Sequence, residues 1–96
     1  MTQQVTVTSD AAVDMRPLVE AAIGRQLALI GLGITRTQSR IAKLEARAGV
    51  TSSEFERRLP SGDMAESLDL LELEGEIRTL KILETQEVAL REARIG

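Results

Sequence analysis

Residues 23–49 read IGRQLALIGLGITRTQSRIAKLEARAG, and the spacing of their apolar side chains decides the fold. The apolar positions recur at alternating steps of four and three residues, with Thr37 filling one position, as in a heptad-like helical seam. These positions are Ile23, Leu27, Ile30, Ile34, Ile41, Leu44 and Ala48. Asp14 and Pro17 suit a helix start, and Gly49 suits the position just after a helix end. The sequence therefore predicts a long helix over residues 16–48.

A short helix and a second long helix are predicted to follow. Thr51 with Glu54 three residues later is typical of a capping box, which predicts a short helix over 52–59. A Pro-Ser-Gly-Asp turn ends that helix, and the last helix is predicted to begin near Asp63 and end at about Arg94. Its apolar positions are Leu70, Leu73, Ile77, Leu80 and Leu83, continued less regularly by Val88, Leu90 and Ile95. We therefore predict an all-α fold, a long antiparallel helical hairpin with a short connecting helix.

The first thirteen residues differ from the rest of the chain. They are polar, and Val and Thr alternate from Val5 to Thr8, a pattern that β-strands favour. A lone strand has no local partner, so an unordered tail competes with a short strand. We predict a flexible or short-strand N-terminal tail over 1–13 and a single helical-hairpin domain over 14–96.

The predicted hairpin carries more apolar side chains than two helices can cover. Five of them lie outside the main seams, namely Leu29, Leu32, Leu68, Leu71 and Ile82. A monomer would expose them, whereas a dimeric four-helix bundle, a coiled coil or a partner protein would cover them. We therefore expect a homodimer. The residues predicted to mediate self-association are Ile23, Leu27, Ile30, Ile34, Ile41, Leu44, Ile77 and Leu80.

The composition excludes several kinds of chemistry. The 96 residues include no His and no Cys, and Phe55 is the one aromatic residue. Zinc sites of the usual N/S kind, Cys nucleophiles and Ser–His catalysis are excluded, and single-stranded nucleic acid has no aromatic stacking platform. No cofactor is expected, and a non-enzymatic interaction protein is favoured. With no leader-like segment and a longest apolar run of about eight residues, we expect a cytoplasmic protein without membrane association.

Charge is divided between the two halves of the chain. Residues 16–58 carry eight basic and four acidic groups, and residues 59–96 carry four basic and nine acidic groups. The basic residues Arg36, Arg40, Lys43 and Arg47 share one helix face, and so do Glu66, Asp69, Glu72 and Glu76. In an antiparallel hairpin the two stripes lie at the same end. We expect them to pair with each other; binding of nucleic-acid phosphates is less favoured because of the acidic stripe.

Two alternatives assign other functions to these features. An N-terminal strand followed by helices is similar to a ribbon-helix-helix DNA-binding regulator, although Val5 to Thr8 include no Arg or Lys. The acidic cluster Asp69, Glu72, Glu74 and Glu76 is the kind of oxygen-rich set that binds Mg²⁺ in helical nucleotide pyrophosphatases. The first helix offers only Glu20 and Glu45 as facing acids, which argues against that site.

The second half of the chain resembles a known group of proteins. The run GVTSSEF over 49–55, then Leu59, Gly62 and the run DLLELEGEI over 69–77, is similar to short helical antitoxin-like proteins of prokaryotic two-gene toxin–antitoxin modules. Their partners are RNase-type toxins of the TumE-like group. The resemblance spans residues 41 to about 90, and Leu73 stands where these proteins commonly have Trp.

The resemblance implies a function and a binding surface. An antitoxin of this kind docks an amphipathic helix on a small basic toxin and needs no catalytic group. The apolar anchors would be Phe55, Leu59 and Leu73, and the acidic rim would be Asp69, Glu72, Glu74 and Glu76. For Phe55 and Leu73, packing within the hairpin or a dimer is an equally good interpretation.

Overall fold

The computed structural model describes residues 3–61 and 67–93, and that part of the chain is all-helical. Helix α1 spans Met15–Ala48, helix α2 spans Ser52–Arg58 and continues into a 3₁₀ turn over Leu59–Ser61, and helix α3 spans Leu68–Arg91. The long helices α1 and α3 pack along each other. The predicted all-α hairpin with a short connecting helix is therefore confirmed for the described chain.

The helix ends follow from local capping chemistry. The side chains of Asp14, Thr51 and Ser67 each accept a hydrogen bond from a first-turn backbone N–H, at 3.1 Å in each case. Gly49 ends α1 at φ 68°, and its N–H donates to the Glu45 carbonyl at 2.9 Å. That left-handed conformation is the one glycine adopts without a steric penalty.

The last helix begins later than the sequence pattern suggests. Ser67 is extended, at φ −146° and ψ 161°, and caps a helix that starts at Leu68. The predicted start near Asp63 lies outside the described residues, and so does the predicted end at Arg94; the helix closes at Arg91. The helix starts at Leu68 because the Ser67 hydroxyl caps it immediately before the apolar run. The spacing of apolar residues does not show which of several polar residues is the cap, so the predicted start was too early.

The alignment of α1 with α3 is seen in contacts between the two helices that recur every seven residues along each of them. Arg47 lies opposite Asp69 and Arg40 lies opposite Glu76, as shown by their ion pairs. Gly33 lies against Leu83. Successive steps of seven residues backward along α1 are thus matched by steps of seven forward along α3, which is an antiparallel arrangement close to a coiled-coil repeat.

The core is concentrated at one end of the hairpin. We call the end that α2 connects the closed end, and the end that holds the start of α1 and the end of α3 the open end. The buried cluster lies at the closed end and consists of Ile41, Leu44, Val50, Phe55, Leu73 and Ile77. Farther along α1, Thr37 and Ile30 are also buried. α2 acts as a third layer at the closed end, which is why the core is deepest there.

The N-terminal segment before α1 adds nothing to this core. Residues 3–14 have no helix or strand, and Val5 and Val7 are exposed. Within the described residues, the Val and Thr alternation therefore forms no strand in the single chain. The outcome agrees with the physical rule that an isolated strand needs a partner for its backbone hydrogen bonds.

Candidate interaction surfaces

The predicted self-association seam lies inside the hairpin. Ile30, Ile41, Leu44 and Ile77 are buried between the chain's own helices. The other four predicted residues, namely Ile23, Leu27, Ile34 and Leu80, are half-buried. The buried side chains are covered by the same chain, whereas the half-buried ones keep part of their surface for a second copy. The seam was recognised correctly as a helix-packing surface, but its partner in this structure is α3 or α1 of the same chain.

Two of the predicted partner anchors are also core residues. Leu73 is 0% exposed and Phe55 is 3% exposed, and both belong to the closed-end cluster. Of the two interpretations of these side chains, packing within the hairpin describes where they lie. Leu59, the third predicted anchor, is 42% exposed and remains accessible to a partner.

The acidic rim is split between two sides of α3. Arg47 pairs with Asp69 at 3.0 Å and with Glu72 at 3.7 Å, and Arg40 pairs with Glu76 at 3.5 Å. These contacts confirm that the basic and acidic stripes pair at one end of the hairpin. The side chains are only partly buried, so each pair contributes at most about 1 kcal/mol. Glu66 lies outside the described residues.

Glu74 belongs to a different surface. It pairs with Arg78 one turn later on α3 at 3.0 Å. Glu74 and Arg78 also line a groove of about 220 Å³ between α2 and α3. The other residues that line the groove are Phe55, Glu56, Leu59, Ile77 and Lys81. Three of the predicted partner residues, Phe55, Leu59 and Glu74, therefore meet in one place.

The position of α2 depends on two polar contacts. Lys81 of α3 pairs with Glu56 of α2 at 2.7 Å. The Glu45 carboxylate of α1 accepts a hydrogen bond from the backbone N–H of Ser52. Because Glu45 is two residues from Arg47, and two residues on a helix are about 200° apart, α2 lies on the side of the hairpin away from the Arg47 ion pairs.

A second groove lies at the open end and was not found from the sequence. It has a volume of about 380 Å³ and is lined by Met15, Leu18, Val19, Ala22, Ile23, Gln26 and Leu90. Its lining is almost entirely apolar. The signal that could have found it is the spacing of Leu18, Ala22 and Leu29, which are four and seven residues apart and so share one side of α1.

The predicted surplus of exposed apolar side chains is confirmed. Leu29, Leu32, Leu68, Leu71 and Ile82 are each more than half exposed. Leu18 and Val88 are exposed to the same degree. A chain that leaves this many large aliphatic side chains in contact with water has surface suited to another protein or to a membrane.

The described residues include no group of three or more acidic, His or Cys side chains placed to hold a metal ion. The acids of the Mg²⁺ alternative are divided by the geometry. Asp69, Glu72 and Glu76 are opposed by the guanidinium groups of Arg47 and Arg40, which compete with a cation for the same oxygens. Glu74 points to the other side of α3, toward Arg78.

Helix α1 also has the length and composition of a membrane-crossing helix. Most of its apolar segment is exposed in the single chain. The same half of the helix carries Arg16, Glu20 and Arg25, and charges within a span are costly in a bilayer. The expectation that the protein does not associate with membranes stays a prediction.

Comparisons with protein-family models, with curated proteins and with solved structures find no match for this chain. The arguments about its function therefore rest on its own residues and geometry.

Proposed function

We propose that this chain is a non-catalytic helical interaction protein that self-associates as a dimer and neutralises a small basic partner protein, as antitoxins of two-gene modules do. The observation that carries the proposal is the extent of apolar surface that the hairpin leaves uncovered. Leu18, Leu29, Leu32, Leu68, Leu71 and Ile82 are each at least half exposed on helices that are otherwise well capped. The two long helices alone do not cover the apolar side chains that they carry.

The shape of the chain supports the same proposal. Its Cα radius of gyration is 18.8 Å, whereas a compact chain of this length has about 12.5 Å. Its accessible area is 7482 Å², against about 5,400 Å² for a compact monomer of this mass. Part of the excess belongs to the N-terminal segment and to the rod shape. The excess is larger than the area of about 800 Å² that each partner buries in a standard interface.

A dimeric four-helix bundle is the assembly that uses this surface best. The chain measures 60 × 26 × 17 Å along its principal axes, so it is a long, narrow rod. Stacking two such hairpins gives two layers with a shared core between them.

The surface proposed for the partner is the outer side of α3. Leu71, Glu74, Arg78 and Ile82 follow one another at steps of three and four residues and so share a side of that helix. Glu74 and Arg78 also border the α2–α3 groove, where Leu59 is exposed. α3 carries six acidic and three basic residues. A helix with an apolar stripe and an acidic balance suits a basic, RNA-binding partner.

The test is neutralisation of the product of the adjacent reading frame. Cells that express that product alone are compared with cells that also express this chain, and the two proteins are co-purified. We expect relief of growth arrest and a stable complex with a small basic protein. Leu71→Glu is expected to abolish both. Ala28→Glu adds the same charge at an exposed position of α1 outside the proposed surfaces; it is the matched control and is expected to retain both.

Two results would contradict the proposal. One is the absence of any complex or growth effect with the wild-type chain. The other is equal binding by the Leu71→Glu and Ala28→Glu variants, because that would place the partner elsewhere. Circular dichroism of each variant shows whether the helices are intact, since both substitutions are at exposed positions.

A further inference from the structure

One broad side of the hairpin changes character along its length. On α1 the positions on this side are first mainly apolar and then basic, namely Leu18, Ala22, Arg25 and Leu29, followed by Arg36, Arg40, Lys43 and Arg47. On α3 they are first acidic, namely Asp69, Glu72 and Glu76, and then mixed, namely Thr79, Leu83, Gln86, Glu87 and Leu90. We call this surface the divided face. Because the helices are antiparallel, its charged half lies at the closed end and its apolar half at the open end.

Contacts within the chain show that the α1 positions and the α3 positions of the divided face lie on the same side of the hairpin. The ion pairs of Arg47 with Asp69 and of Arg40 with Glu76 join the charged halves. Farther along, Gly33 meets Leu83, and Leu90 lines the open-end groove with Leu18. Helix α2 lies on the opposite side of the hairpin, as the Glu45 contact shows. The divided face is therefore uncovered in the single chain.

We propose that a second copy of this chain covers the divided face, with a two-fold axis parallel to the long axis of the hairpin. This proposal rests on the self-association proposed above and specifies its geometry. In this arrangement, α1 of each copy lies antiparallel against α3 of the other. The two open ends stack apolar side on apolar side, and the basic half of each α1 meets the acidic half of the other α3.

The charges decide between this arrangement and its alternative. A two-fold axis perpendicular to the hairpin would place the apolar half of each face on the charged half of the other. That packing places α1 on α1 and α3 on α3, so the basic stripe of one copy lies near Arg25 of the other and the acidic stripe lies near Glu87, which sets like charges against each other. The parallel axis avoids this cost. A symmetric, self-complementary face is also what a two-fold dimer requires.

Two basic residues favour the same arrangement. Arg36 and Lys43 lie on the charged half of the divided face, yet neither makes an ion pair with any described residue of its own chain. In the proposed dimer they face the acidic stripe of the other copy's α3. Their charge is then balanced by Glu72 and Glu76 across the interface, a complementarity that fixes register.

The geometry is tested by measuring the distance between identical positions in the two copies. The chain has no Cys, so a single spin label can be placed at Ala46→Cys, an exposed closed-end position beside the divided face. With the parallel axis the two labels lie at the same end, on the order of 20 Å apart. With the perpendicular axis they lie at opposite ends, at least about 45 Å apart. The mass of the wild-type chain from light scattering accompanies this measurement.

A pair of matched variants tests the apolar half. Leu29→Glu places a charge on the divided face and is expected to raise the dimer dissociation constant at least about tenfold. Ala28→Glu, one residue away and about 100° around the helix, is expected to leave it unchanged. Lys43→Glu is expected to weaken the dimer a few-fold, with the difference shrinking as salt is added. All three positions are exposed, so the helical signal should be retained.

The outcomes separate this inference from the proposed function. A dimer with a long label distance, or one unaffected by Leu29→Glu, overturns the parallel geometry and leaves self-association standing. A monomer overturns both, and sedimentation of that monomer with phospholipid vesicles would assign the apolar half to a membrane instead. Neutralisation of the partner is read independently through Leu71→Glu.

Discussion

Gly33 of α1 lies directly against the side chain of Leu83 of α3. A Cβ placed on Gly33 would lie 3.3 Å from Cδ1 of Leu83, which is closer than ordinary van der Waals contact. The packing of Leu83 against α1 therefore depends on the absence of a side chain at Gly33. Gly24 and Gly31, on the same helix, face open space.

This difference predicts an order among three glycine substitutions. Gly24→Ala and Gly31→Ala should each stabilise the protein by about 0.5–1 kcal/mol, because alanine is the better helix former. Gly33→Ala should gain clearly less, since the Leu83 side chain has to shift to admit the new methyl group. Urea denaturation at one fixed protein concentration measures all three. Equal gains at the three positions would show that Leu83 does not restrict the approach.

Leu73 is predicted to be the most costly core position to truncate. It is 0% exposed at the centre of the closed-end cluster, and Leu73→Ala should destabilise the fold by about 2–5 kcal/mol. Leu71→Ala, two residues away and mostly exposed, should change stability by less than about 0.5 kcal/mol. Thermal or urea unfolding followed by circular dichroism distinguishes the two. A small effect at Leu73 would contradict its place in the core.

Replacing Gly49 with alanine is predicted to destabilise the protein, whereas the same change at Gly24 is predicted to stabilise it. Its φ of 68° lies in the left-handed region, where a Cβ costs roughly 1–2 kcal/mol. Gly49→Ala should therefore destabilise the end of α1 by about that amount, even though no atom lies within 4 Å of the added methyl group. The comparison of Gly49→Ala with Gly24→Ala, by the same unfolding measurement, isolates the backbone contribution. A stabilising Gly49→Ala would mean that α1 ends in a different conformation.

The ion pairs of Arg47 are predicted to contribute little to folding. Arg47 contacts both Asp69 and Glu72, but all three side chains are well exposed to solvent. Arg47→Ala should cost less than about 1 kcal/mol, and the cost should fall as salt is added. Arg25→Ala is the control, since Arg25 makes no ion pair with a described residue. A larger, salt-insensitive loss would indicate that the pair is buried in an assembly.

Several features were predictable because they depend on neighbours in the sequence. The ends of α1 follow from Asp14 and Gly49, and α2 follows from Thr51. The apolar repeat identified which side of each long helix is buried. The start of α3 at Leu68 was not predictable, because several polar residues before it were equally plausible caps and the pattern does not choose between them.

The candidate site was predicted less well than the fold. For Phe55 and Leu73 a partner contact and packing within the hairpin were equally good interpretations, and the structure places both residues in the core. Glu74 was grouped with Asp69 and Glu76, whereas it lies on another side of α3 and borders the α2–α3 groove. An apolar residue on a helix is suited equally to an intramolecular or an intermolecular neighbour, so spacing alone does not assign its partner.

The sequence by itself determined the described helices, including the connecting helix, and the number of apolar side chains, since these depend on contacts within a few residues. The tertiary structure decided how α1 and α3 align, which apolar side chains remained exposed and which charges found partners. Those outcomes depend on the register between segments 22 to 50 residues apart, as in the contacts of Arg47 with Asp69 and of Gly33 with Leu83. Only folding brings such positions together, and with them the divided face.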